Sequence, residues 1–276
     1  MVEAIACDPG TLLARAGEWL EREPVLHNVI CTVVRRAADA PAAQPESLWF
    51  VMEAAGEPVG AAILTPPFPL GLTPMPDEAL AALAEALARR RPTLAGVNGA
   101  GDVAGRFAEQ WRTRTGAQLE RGMDQLVYRL DAVIPPPAVE GALRPATAAD
   151  RQLLGEWFPA FSHEAGVVTA DAAAVERRLA DGALYLWDHI APRTLAGVAP
   201  PAAGVVRVGP VYTPPEQRRQ GYASACVAAV SQRALDAGAS ACMLYADKAN
   251  PTSNGVYQRI GYRCVATATE HRFRYA

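Results

Sequence analysis

Hydrophobic and polar positions change period several times along the chain, and each change marks an element. Apolar residues at helical spacing predict helices over Leu12–Glu23 and Val25–Ala38. Apolar runs then predict strands over Leu48–Ala54 and Val59–Thr65, joined by a turn at Gly56-Glu57-Pro58. An alanine- and leucine-rich helix is expected over Glu78–Arg90. A strand over Leu94–Val97, a helix over Val103–Arg114 and a strand over Gln118–Leu130 close this half.

The second half repeats a comparable order. Helices are expected over Ala148–Phe161 and Ala172–Ala180, and strands over Leu184–Asp188 and Arg193–Val198. A strand over Val205–Tyr212 carries Val205, Val206, Val208, Val211 and Tyr212, and Pro214 and Pro215 stop it because neither donates to a ladder. A helix follows over Gly221–Ala237, stopped by Gly238. A short strand over Cys242–Ala246, a short helix opened by Pro251 and stopped by Gly261, and an extended Tyr262–Phe273 end the chain. Between the halves, Asp131–Gly141 holds Pro135-Pro136-Pro137, the composition of a semi-rigid connector. The expected division is 1–130, a linker at 131–142, and 143–276.

The junction Arg218-Arg219-Gln220-Gly221-Tyr222-Ala223 carries chemistry. A helix N-terminus leaves about four amide N–H groups without intrahelical partners and carries about half a positive charge. Gly221 lets a phosphate approach the backbone, and small Ala223 keeps the first turn open. Arg218 and Arg219 add charge-assisted donors. The bland alternative is a strand–loop–helix with a solvated basic loop. A second stretch, Asn250 to Tyr262, weighs against it: Asn250 sits where a strand ends, and Ser253, Asn254 and Tyr257 share one helix face.

Together these stretches resemble the GCN5-related N-acetyltransferase superfamily. That family carries Arg/Gln-x-x-Gly-x-Gly/Ala after its fourth strand, matched here by Arg218, Gly221 and Ala223. After its fifth strand comes Asn-x-x-(Ala/Ser)-x-x-x-Tyr-x-x-x-Gly-(Phe/Tyr), matched by Asn250, Ser253, Tyr257, Gly261 and Tyr262. The resemblance covers about residues 143–276. It implies the acyl-CoA N-acyltransferase fold, an α/β (α+β) arrangement with a mixed central sheet flanked by helices. The similar element order of the first half suggests two such folds in tandem.

By position, the resemblance implies that backbone groups at Val211, Tyr212 and Thr213 pair with the pantetheine arm of acetyl-CoA. Arg218, Arg219, Gln220, Gly221, Tyr222, Ala223 and Ser224 would hold its pyrophosphate. Asn250, Ser253, Asn254 and Tyr257 would line the rest of the coenzyme A site, with Tyr257 as general acid toward the leaving thiolate. The implied reaction is direct attack of a primary amine of a small molecule or peptide on the thioester. The alternative is a non-catalytic coenzyme A-binding or sensing protein of the same fold.

The first half departs from the pattern. After Thr65 comes Pro66-Pro67-Phe68-Pro69-Leu70, without arginine and without a glycine opening a helix. Gly96-Val97-Asn98-Gly99-Ala100-Gly101 is glycine-rich but sits elsewhere, and such a turn alone is weak evidence of phosphate binding. The first half is therefore expected to be a degenerate domain that binds no coenzyme.

An amine must lose a proton before it attacks, so a base is needed. Glu164, on the loop expected after the first helix of the second half, is the first choice. His163, Asp188, Glu270 and His271 are the other candidates, and an exposed surface carboxylate is the bland reading of Glu164.

Composition narrows the remaining classes. The 276 residues suffice for two domains, with half of them hydrophobic and a fifth charged. A net charge of −3 gives no support to a nucleic-acid binder. Five scattered cysteines without CxxC spacing read as reduced thiols, and four histidines form no metal constellation, so no metal is expected. No membrane-spanning run or signal pattern is seen, and a soluble cytoplasmic protein, monomer or homodimer, is the expectation.

Overall fold

A computed structural model describes residues 1–40 and 46–275. In chain order the first elements are β1 (Val2–Cys7), α1 (Pro9–Glu21), α2 (Asn28–Asp39), β2 (Leu48–Ala54), β3 (Glu57–Leu64), β4 (Leu70–Leu72), α3 (Asp77–Arg90), β5 (Gly96–Ala100), α4 (Val103–Thr115) and β6 (Gln118–Leu130). There follow β7 (Ala142–Pro145), α5 (Arg151–Ala165), α6 (Ala172–Ala180), β8 (Leu184–His189), β9 (Ala191–Val198), β10 (Val205–Tyr212), α7 (Tyr222–Asp236), β11 (Ala241–Asp247), α8 (Pro251–Arg259) and β12 (Arg263–Arg274).

These elements form two compact units. The first is Met1–Val127 with the chain from Val265 on, and the second is Tyr128–Cys264. The last strand thus belongs with the first unit, whereas the sequence boundaries put residues 143–276 in one domain. The physical reason is its ladder: Ala268 to Arg272 pair antiparallel with Ala100 to Gly96 on β5.

Within the first unit the strand order is β1-β2-β3-β4-β5-β12, with β4 and β5 parallel and the other neighbours in this order antiparallel. The second unit is ordered β7-β8-β9-β10-β11, with β10 and β11 parallel and the other pairs antiparallel. The same topology occurs twice, as the repeated order of hydrophobic periods predicts. Three short strands, β1, β4 and β7, were not expected. β1 and β7 pair with strands far along the chain, and β4 has only three residues, so local period carries little of the signal.

The glycine-rich stretch read as a turn is strand β5. Its glycines serve close packing: a Cβ on Gly96 would meet the carbonyl of His271 at 2.5 Å, and one on Gly99 would meet Val103 at 2.5 Å. The core of the first unit gathers Phe50, Met52, Leu80, Leu83, Leu87, Phe107 and Trp111. In the second, Leu154, Trp157, Phe158, Leu184, Leu186, Leu195 and Tyr212 cluster under α5.

One cation ties three elements of the second unit together. Arg144 on β7 forks onto Asp150 at 2.8 and 2.8 Å, just before α5, and reaches Asp188 on β8 at 2.6 Å. Thr147 and Asp150 also close a capping box, so α5 starts from a fixed point. Asp150 is buried, and its carboxyl is held below the usual carboxylate range by Arg144 foremost.

Candidate active site

Two parallel strands that part company build the site. β10 and β11 are paired over Val205–Arg207 and Ala241–Met243, after which β10 runs on to Tyr212 and β11 to Asp247. On its other edge β10 stays with β9, through Val208–Val198, Val211–Ala196 and Tyr212–Leu195. The ladder is irregular between Val208 and Val211, where Gly209 takes a φ of +145° and Pro210 has no amide hydrogen to give. Val211 and Tyr212 thus lie on the stretch of β10 beyond its last pair with β11.

Past Tyr212 the chain makes a short 3₁₀ turn at Pro215–Gln217, and Arg219 and Gly221 both take positive φ, +65° and +87°. This hook starts α7 at Tyr222. At this end the Ala225 amide donates to the Gly221 carbonyl at 3.0 Å, so the amides of Tyr222, Ala223 and Ser224 precede the ladder. Gly221 offers no side-chain cap, and no acidic residue stands in the first turn. Glycine is required here twice over, by its φ and because a Cβ would meet Val139 of the proline-rich connector at 2.8 Å. Val139 was not singled out by sequence, and no motif marks it.

The expected anion-binding arginine is already engaged. Arg218 Nε donates to the Thr213 carbonyl at 2.9 Å, and its Nη2 donates to Glu164 Oε2 at 2.5 Å. Tyr212, packed edge-on to Trp157, donates to the other oxygen, Oε1, at 3.4 Å. Burial, and next the Glu164 charge, push the Tyr212 phenol up. Structure thus joins Glu164 and Arg218, which the sequence reading assigned to different tasks. Glu164 is not on a loop: α5 continues to Ala165 and ends at Gly166 in the left-handed region. The sequence reading stopped it at Phe161, and Pro159 inside the helix is an internal breaker that the structure accommodates.

The second motif is folded inward. Asn250 caps α8, its Oδ1 accepting from the Ser253 amide at 3.1 Å. Asn254 is buried, donates to the Asp247 carbonyl at 3.0 Å and accepts from the Tyr128 hydroxyl at 3.3 Å. Gln258 donates to that same hydroxyl at 3.2 Å. Tyr257 is buried between Tyr128 and Tyr262, with ring centroids 6.2 and 6.1 Å away. Burial foremost pushes its phenol up to about 12. Tyr128 was missed by sequence reading; a tyrosine in the apolar run Leu126-Val127-Tyr128 looks like strand core.

The remaining base candidates are placed as follows. Asp188 is bound to Arg144. His163 lies in the last turn of α5. Glu270 and His271 are on the part of β12 that belongs to the first unit, and Glu270 accepts from Arg272 at 2.7 Å. Among the described residues, no cluster of three or more His, Cys, Asp or Glu side chains is placed to hold a metal ion.

Comparison with known proteins follows the same outline. Residues 201–272 match the family described as FR47-like protein. A GCN5-related N-acetyltransferase from Sphaerobacter thermophilus is similar over 98% of this chain and 95% of its own, with TM-score 0.60 at 18% identity. A tandem GNAT protein from the clavulanic acid biosynthesis pathway covers 99% and 98%, with TM-score 0.61 at 13% identity. The chain has the GNAT fold. An acetyltransferase from the GNAT family of Colwellia psychrerythraea adds a match over 99% and 100%, TM-score 0.59 at 10% identity. No curated protein matches the chain. In GNAT terms β10, α7, β11 and α8 are the elements on which both sequence motifs fall.

Proposed function

We propose that the second unit is an acetyl-CoA-dependent N-acetyltransferase that moves an acetyl group to a primary amine of a small molecule or peptide. The observation that carries this reading is the junction of β10 and α7. A strand end beyond its parallel partner leads into a glycine-hooked helix start that has no carboxylate of its own. An anionic diphosphate suits such a start, since the amides of Tyr222, Ala223 and Ser224 and the Arg218 and Arg219 guanidinium groups all donate. Gln220 and Gly221 complete the loop. Val211, Tyr212 and Thr213 would then follow the pantetheine arm, with Asn250, Ser253 and Asn254 shaping α8 alongside it.

In this reading the amine nitrogen attacks the thioester carbon, and the carbon–sulfur bond breaks to release coenzyme A thiolate. Backbone N–H groups near the β10 irregularity would stabilise the oxyanion. Glu164 takes the proton lost by the amine. Tyr257 stands as the acid, and its elevated pKa refines that role. A phenol near 12 facing a thiol of about 8.5 makes full proton transfer uphill by about 3 to 4 pK units. A hydrogen bond to the developing thiolate, with solvent supplying the proton afterwards, is the lower-energy course.

The first unit is read as binding no coenzyme, and the protein as cytoplasmic, a monomer or homodimer. Calorimetric titration with acetyl-CoA tests the proposal. One site per chain, lost in Arg218→Ala/Arg219→Ala, is expected. Two sites would overturn the reading of the first unit, and no binding would overturn the whole proposal. A non-catalytic coenzyme A sensor is the second reading, favoured by the engagement of Glu164 with Arg218. Amine-dependent release of free thiol separates the two.

A further inference from the structure

We infer that the Arg218–Glu164 ion pair couples the two substrate sites, so that binding of the diphosphate frees the carboxylate that receives the amine. The inference rests on the proposed function and adds to it a route from one substrate to the other. Three contacts define the pair: Arg218 Nη2 to Glu164 Oε2 at 2.5 Å, Arg218 Nε to the Thr213 carbonyl at 2.9 Å, and the Tyr212 hydroxyl to Glu164 Oε1 at 3.4 Å. The guanidinium therefore bridges the end of β10 and the end of α5, although its sequence position belongs to the anion-binding loop.

The energetics favour exchange of partners. Both side chains are about two-fifths exposed, at 42% and 41%, and an ion pair of that exposure is weak because water and salt screen it. A diphosphate offers the same guanidinium a charge-assisted, bidentate partner. Once Arg218 turns to it, Glu164 keeps the Tyr212 hydroxyl and loses its cation. It is then an uncompensated carboxylate, able to hold an ammonium and accept its proton. Without the diphosphate, an arriving ammonium must compete with Arg218 for the same oxygen. Linkage makes the effect reciprocal, so each substrate tightens the other. Arg218 is thus a positioning residue for Glu164 as well as an anion contact.

Titration with coenzyme A tests this without knowledge of the amine. Glu164→Gln removes the charge that competes for Arg218 and should tighten coenzyme A binding about two- to five-fold. In an Arg218→Ala background the same change should do nothing, because the cycle isolates the pair. Unchanged or weaker binding by Glu164→Gln alone overturns the inference, as does tightening that persists without Arg218. Thermal melts of the variants should stay within a few degrees of wild type, since the pair is exposed. Absence of coenzyme A binding by the wild type would overturn the proposed function and this inference with it.

Discussion

In the first unit β4 is three residues long, and each of them, Leu70, Gly71 and Leu72, is paired with β5. The helix that follows, α3, opens with Pro76 as N-cap and has Asp77 and Glu78 in its first turn. In the second unit β10 is eight residues long and paired with β11 over its first three, and α7 opens on Gly221 with no acid in its first turn. The topology is shared and the electrostatics are opposite. Where the first unit meets its helix dipole with its own carboxylates, the second leaves amides and adds Arg218 and Arg219. A repeated fold thus leaves the helix start free of acids in one copy and fills the corresponding place with its own carboxylates in the other.

Moving the acids across is the strongest way to break this contrast. Ala223→Asp/Ser224→Glu gives α7 a first turn like that of α3. Acetyl-CoA affinity should fall at least about 100-fold, because each like-charge contact near a surface costs a few kcal/mol. Helix stability should hold or rise slightly, since acids suit an N-terminus. Calorimetry and a thermal melt of one sample read both.

Tyr257→Phe should lower turnover about 10- to 100-fold while the acetyl-CoA dissociation constant stays within a factor of two. Single-turnover thiol release is the measurement, and unchanged turnover removes Tyr257 from the mechanism. Gly221→Ala sharpens the backbone side of the contrast. A φ of +87° costs a non-glycine residue about 1–2 kcal/mol, and the new methyl meets Val139. Urea unfolding should report a loss of at least that size, with weaker coenzyme binding beside it.

The Arg144–Asp150 pair tests how α5 is held. Asp150 has a depressed folded-state pKa, so its contribution is present above the unfolded value of about 3.9 and is lost as pH falls through the folded value. Asp150→Asn should destabilise by about 1–2 kcal/mol at neutral pH, discounted because Arg144 is about a third exposed, and the difference from wild type should shrink on acidification. The smallest effect is expected at Asp77→Asn in the first unit. Asp77 is two-thirds exposed and paired with Arg106, so denaturation should shift by less than about 1 kcal/mol. Acetyl-CoA stoichiometry should stay at one site per chain.

Much of this was legible in the chain, for local reasons. Asp171 caps α6 by accepting from the Ala174 amide, and the helix runs over Ala172–Ala180 as its period predicts. Gly221 was legible as the glycine that opens α7, though the period counts it as the first helical residue, and its left-handed φ of +87° sets it just before the helix. The end of α5 was less legible, since Pro159 argues locally for a break that packing overrides. Gly96 and Gly99 read as a turn for the same kind of reason: their value lies in atoms from distant residues that leave no room for a Cβ.

The sequence by itself determined the alternating periods, the caps and the basic glycine loop, each set by residues within a few positions of one another. Only the tertiary structure decided that the last strand completes the first unit, that Asn254 turns inward to Tyr128, and that Glu164 meets Arg218. Those partners lie many residues apart. Their meeting depends on which faces pack and which loops close, a property of the whole chain and not of any stretch of it.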